Sequence, residues 1–287
     1  MNAAIWIGLT ILLSLITYNT TRFFTKEVIS TCLRYNILKR NHQKVAIPQI
    51  GGFALALTAI FHLFVVYLIL YSFMEIAIEH EMLVIIQMMV VCIFGYGLLG
   101  LFEDIGGKHD LIKGFHQHWT HFRNGRVSAI GLNRIFGVLI AFFAASFLAQ
   151  TLFECIVFTA IIVGYVSVWN ILDDNKSGLP VKISILHNIV LLVAFGVQLL
   201  WIVSIPMIVA IFTFLSFETK DKVMLGNIGK SVLASVSALQ MIYLSPSTTV
   251  NISISILLII IAIILAVYTN RMSIKSKSQS LASNNRQ

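Results

Sequence analysis

The chain has 287 residues, 58% hydrophobic and only 11% charged, with a mean hydropathy of +0.90 and a formal net charge of +8. A soluble globular domain carries about 25% charged residues, and a core of this size cannot hide so much apolar surface behind so few charges. A water-soluble enzyme, a nucleic-acid-binding domain and a disordered protein therefore do not fit, and the composition points to an all-α, polytopic integral membrane helical bundle.

A helix needs roughly 20 mostly apolar residues to cross a bilayer. Nine segments meet or approach that length: 3–18, 51–73, 82–102, 135–153, 155–172, 183–200, 202–217, 231–244 and 252–269. The first and eighth are short. The first lacks the basic start and small-residue cleavage site of a secretory signal. The sixth and seventh are divided only around Trp201, which predicts a tight hairpin, and Pro206 predicts a kink near the start of the seventh. Between the first two spans, Ser30–Lys39 has the pattern of an interfacial helix with Leu33, Ile37 and Leu38 toward lipid. Residues 1–270 read as one transmembrane domain. Residues 271–287, rich in Ser, Asn and Lys, read as a disordered cytoplasmic tail.

With nine spans, every one of the 20 Lys and Arg residues falls on one side of the membrane. The other side holds Glu75, Glu79, Glu81 and Glu154. The positive-inside rule then predicts an outside N-terminus, a cytoplasmic C-terminus and a multi-pass plasma-membrane protein. The basic face suits anionic lipid headgroups and a phosphorylated substrate. Cys32, Cys92 and Cys155 show neither metal nor redox spacing.

Within the spans His62 stands out as an ionisable residue, and it reads as a hydrogen-bonded interior group. That scarcity disfavours a transporter, whose charges gather near the midplane. The polar interest lies instead at helix ends on the basic side, in four clusters. The first, Lys44 to Gly52, opens the second span. Gly51 and Gly52 permit close backbone approach and an anion at a helix start, or simply helix packing. The second, Gly97 to Asp104, closes the third span with Glu103 and Asp104. Carboxylates can bind Mg²⁺ or act as a general base, and at a helix C-terminus they oppose the macrodipole by about 0.3–1 kcal/mol. The third, Asn170 to Gly178, repeats that arrangement with Asp173. The fourth, Met224 to Ser231, brings two glycines, Asn227 and Lys230 to the start of the eighth span, without P-loop spacing.

The loop 108–134 adds Lys113, Arg123 and Arg126, candidate contacts for a phosphorylated anion, although the positive-inside rule explains them equally well. His116, His118 and His121 lie in the same loop, but no cysteine or acid completes a zinc site with recognisable spacing.

These four clusters, in this order, resemble the polyprenyl-phosphate N-acetylhexosamine-1-phosphate transferases. That family includes the phospho-N-acetylmuramoyl-pentapeptide translocase and its UDP-GlcNAc relatives, the glycosyltransferase family 4-like group. Lys44 to Gly52 resembles its Lys…Pro…Gly-Gly motif and Gly100 to Asp104 its Gly-hydrophobic-Asp-Asp helix end. Asn170 to Asp173 resembles its Asn-Leu-x-Asp motif and Gly226 to Gly229 its Gly-Asp-x-Gly motif. The stretch from Ile112 to Arg126 resembles a loop of a compact branch from spore-forming Firmicutes. The likeness spans residues 40–240.

The resemblance implies transfer of a sugar-1-phosphate from a UDP-N-acetylhexosamine-type donor to undecaprenyl (polyprenyl) phosphate at the cytoplasmic face. UMP is released, in cell-wall (peptidoglycan) or spore-envelope biosynthesis. It implies Mg²⁺ as cofactor, undecaprenyl phosphate, UDP-sugar and the bilayer as partners, and no nucleic acid; a homodimer is compatible with it. By this likeness Lys44 and Glu103 lie near the lipid phosphate and Asp104 supports the site. Asn170 and Asp173 face nucleotide or metal, and Asn227 stands where the family has a metal-binding Asp. Glu103 and Asn227 both depart from the family pattern, the family's late His-rich motif is absent, and 174–178 fits neither common continuation of the third motif. The competing expectation is a catalytically degenerate member that binds a lipid phosphate or a partner protein.

Overall fold

The computed structural model describes residues 3–40, 45–73, 80–106, 129–172, 178–195 and 198–244. Lys44, Lys113, Arg123, Arg126, Asp173, His116, His118, His121, the ninth apolar segment 252–269 and the tail 271–287 lie outside the described residues.

The described chain is built almost wholly of helices. They are α1 (Ala3–Arg34), α2 (Gly52–Phe73), α3 (His80–Gly106), α4 (Ala129–Leu148), α5 (Leu152–Ile171), α6 (Leu179–Phe195), α7 (Gln198–Glu218) and α8 (Gly226–Leu244). Six of the eight, all but α6 and α8, are long and apolar enough to cross a membrane. The protein is thus a multi-pass, membrane-associated helical protein.

α1 is longer than its apolar stretch. Its 32 residues span about 48 Å, well beyond a hydrocarbon core of about 30 Å. The polar run after Tyr18 does not end it, because Thr20 and Thr21 return their hydroxyls to the carbonyls of Ile16 and Thr17. The interfacial helix expected over Ser30–Lys39 is therefore corrected. Residues 30–34 are the last turn of α1, which closes with Asn36 in the left-handed region (φ 55°) and Ile37 N–H on the Cys32 carbonyl. Asn tolerates that backbone where branched residues do not. The chain then forms β1 (Leu38–Arg40), antiparallel to β2 (Ala46–Pro48), with Lys39 opposite Ile47.

Other boundaries shift for local reasons. The described part of α6 ends at Phe195 and that of α7 begins at Gln198, so Trp201 sits inside α7, as does Pro206. Between α4 and α5, Thr151 and Glu154 form a reciprocal capping box that starts α5 sharply. α8 begins at Gly226, so the glycine motif is its first turn rather than a preceding loop.

α8 is the axis of the bundle. Of its 19 residues, 17 are buried, and α2, α3, α5 and α6 pack around it. Its Ser and Ala residues let neighbouring backbones approach closely. α4 is the reverse, with Ala141, Ala144 and Ala145 turned inward and Leu139, Phe142, Phe143 and Phe147 outward.

Candidate functional site

Short polar contacts join the ends of α2, α3, α5, α7 and α8. Met224 N–H donates to the Pro48 carbonyl at 2.8 Å, Gly51 N–H to Met224 at 2.9 Å and Gly52 N–H to Leu225 at 2.8 Å. This seam fastens the start of α2 to the start of α8. Glycine is required along it: a methyl at Gly52 would overlap the Gly229 backbone, one at Gly51 would overlap Val223, and one at Gly100 would strike Ile228. Gly226 itself turns with φ 70° against Asp104. Gly51 and Gly52, expected to bind substrate, are buried in this packing and do not line the cleft described below.

Asp104 explains why two acids can stand at the end of α3. Its carboxylate is 2% exposed and accepts the backbone N–H groups of Asn227 at 3.0 Å and Ile228 at 3.2 Å, with Gln49 Nε2 at 3.3 Å. It therefore sits on the positive N-terminal end of α8, which favours an anion. Glu218, at the end of α7, accepts Leu225 N–H at 3.1 Å and secures the same turn. The unfavourable dipole of α3 is offset by the favourable dipole of another helix, a term that spacing along one helix does not contain.

Lys230 serves the opposite pole. Buried in α8, it donates Nζ to the Leu172 carbonyl at 3.1 Å, where α5 ends. A cation at a helix C-terminus is stabilising. Ser231 reaches the same helix end and donates Oγ to Asn170 Oδ1 at 3.4 Å.

In front of these anchors opens a cleft of about 730 Å³ between α3, α4, α5, α8 and the β-hairpin. Of the residues singled out from sequence, Glu103, Asn170 and Asn227 line it. So do Gln49 and Ser231, which fall inside the first and fourth sequence clusters, and Lys39, Asn133 and Arg134, which lie outside all four. Glu103 is half-buried, next to the carboxylate of Asp104 and in the field of Arg134 and Lys230. Lys39 and Arg134 are exposed cations on the rim, and Asn133 is fixed by donating Nδ2 to the Leu99 carbonyl at 3.1 Å. One carboxylate, carboxamides and hydroxyls between two cations suit a phosphorylated anion with polar substituents.

Among the described residues no three His, Cys, Asp or Glu side chains gather to hold a metal ion. The carboxamide oxygens of Asn170 and Asn227 and the carboxylate of Glu103 are nevertheless hard donors of the kind Mg²⁺ takes. His62 belongs elsewhere: it is buried in α2 with Nδ1 3.2 Å from Thr17 Oγ1 of α1, as its interior reading anticipates. No family model matches this chain, and no curated protein matches it.

Proposed function

We propose that the chain transfers a sugar-1-phosphate from a UDP-N-acetylhexosamine-type donor to a polyprenyl phosphate, releasing UMP, at the cytoplasmic membrane face. The observation that supports this reading is the convergence of Glu103, Asn170 and Asn227, from three separate helix ends, on one cleft rimmed by Lys39 and Arg134. In this reading the acceptor phosphate oxygen attacks the sugar-linked phosphorus, the bond to the UMP oxygen breaks, and UMP leaves with the electron pair. Lys39 and Arg134 hold the anionic groups, and Glu103 orients the acceptor phosphate or takes its proton. Asn170 and Ser231 offer hydrogen bonds to the donor. Asp104 acts from behind, by fixing the turn that carries Asn227. Glu103, Asn170 and Asn227 are the groups that would hold Mg²⁺, which when bound offsets charge on the diphosphate.

The test is UMP release by purified protein given undecaprenyl phosphate and either UDP-GlcNAc or UDP-MurNAc-pentapeptide, with and without Mg²⁺. Release by the native chain that is lost in Glu103→Gln supports the transferase reading. Release only by Asn227→Asp identifies a decayed metal site and the degenerate, lipid-binding alternative. Silence from every form overturns transfer from these donors.

A further inference from the structure

A second polar cluster lies about 15 Å further along α8 than Asn227, on the side of α5 turned away from the cleft. On α5, Tyr165 and Trp169 stack with ring centroids 5.6 Å apart. His187 of α6 stands edge-on to both, at 5.6 Å and 6.2 Å, and its Nε2 lies 3.4 Å from the Ser237 carbonyl of α8. Ser184 and Asn188 flank His187 on α6, with Asn188 Nδ2 donating to the Ser184 carbonyl at 2.8 Å. One turn beyond Ser237, Gln240 donates Nε2 to Ser204 Oγ of α7 at 3.1 Å. Each of these six residues of α5, α6 and α8 that bears an unmatched atom is at most 4% exposed.

The unmatched atoms are Trp169 Nε1, Ser184 Oγ, His187 Nδ1, Asn188 Oδ1, Ser237 Oγ and Gln240 Oε1, which have no hydrogen-bond partner among the described residues. Buried polar groups in folded proteins are almost always hydrogen-bonded, so six orphans at one junction call for a partner. Their chemistry selects what satisfies them. The indole N–H only donates and the two amide oxygens only accept. A cation would meet the indole N–H with no carboxylate in the cluster to balance it, and an anion would meet two amide oxygens. A small neutral molecule that both donates and accepts satisfies all six.

We propose that the α5–α6–α8 junction is a hydration site that binds ordered water within the bundle, with His187, Trp169 and Ser237, which the ring contact and the His187–Ser237 approach bring together, as its principal ligands. A buried water makes about three hydrogen bonds, so at least two are needed here.

X-ray hydroxyl-radical footprinting of the full chain in lipid nanodiscs tests this, because radicals form on bound water whatever the distance to bulk solvent. After correction for intrinsic reactivity, Trp169 and His187 are expected to be labelled several-fold faster than Phe214, which is fully buried in the apolar core. Protection of Trp169 equal to that of Phe214 overturns the proposal. An Asn188→Leu/Ser237→Val variant fills the site and is expected to lower labelling at Trp169 while leaving Phe214 unchanged. Undiminished labelling in that folded variant means water reaches Trp169 by another route and overturns the assignment. If the variant does not fold, the native comparison decides. Labelling lost when Na⁺ and K⁺ are replaced by choline assigns a cation instead and also overturns it.

Discussion

α4 and α8 divide the work of a membrane helix in opposite ways. α4 turns Phe142, Phe143 and Phe147 outward and closes against the bundle with alanine. α8 has no outward face: it buries Lys230, Ser231, Ser235, Ser237 and Gln240 along with its aliphatic residues. Hydropathy thus measures contact with lipid rather than depth in the fold. The helix that organises the bundle is among the less apolar because every neighbour is protein, and polar side chains there can be paired.

The largest effect is expected where backbones touch. Gly52→Leu drives a side chain into Gly229 of α8, and neither helix can yield without breaking the seam to Leu225. A loss of about 3 kcal/mol is expected, read as a collapse of thermal unfolding temperature and of monodisperse yield. Asp104→Leu removes the acceptor of two α8 N–H groups and is expected to cost about 2–3 kcal/mol. Glu218→Ala, which loses one such acceptor, should cost less, and equal losses would break the claim that Asp104 is the main anchor. Lys230→Met keeps the stem but strips the cap from α5, for about 1–2 kcal/mol in the same melts. Glu103→Gln should hold within about 0.5 kcal/mol of native stability while abolishing UMP release, which separates the cleft from its supports. Phe142→Leu on α4 should be smallest, under about 0.5 kcal/mol in detergent. A loss there comparable to that of Lys230→Met would mean that the outer face of α4 contacts protein and would sink the contrast between the two helices.

Much of this was legible in advance. Long apolar runs announced the helices, because a lipid-facing helix must be apolar over most of its length. Glu103, Asn170 and Asn227 stood out as polar groups where apolar sequence stops, and the structure gathers all three in the cleft. The end of α1 and the start of α8 were less visible. Thr20 and Thr21 satisfy themselves inside a helix, and Gly226 to Gly229 form a first turn that looks like a loop until its partners are seen. Lys39 and Arg134 were hidden by a sufficient simpler explanation, since the positive-inside rule already accounts for cations at these ends. Asp104 was singled out from sequence, but its hold on α8, like that of Glu218 on the turn before it, was illegible in kind. Their partners lie on another helix, so periodicity within one segment carries no trace of them.

The Asp104 anchor also sets an order of events during synthesis. Its partner N–H group on Asn227 lies 123 residues downstream. At ribosomal rates that is a wait on the order of 10 s. Until α8 is made, the ends of α2 and α3 lack the backbone that fastens them, and a carboxylate stands uncompensated beside the membrane. The cleft is therefore assembled last, when the central helix threads between partners already inserted. A chain released before Gly226 would keep its apolar segments and lack a site.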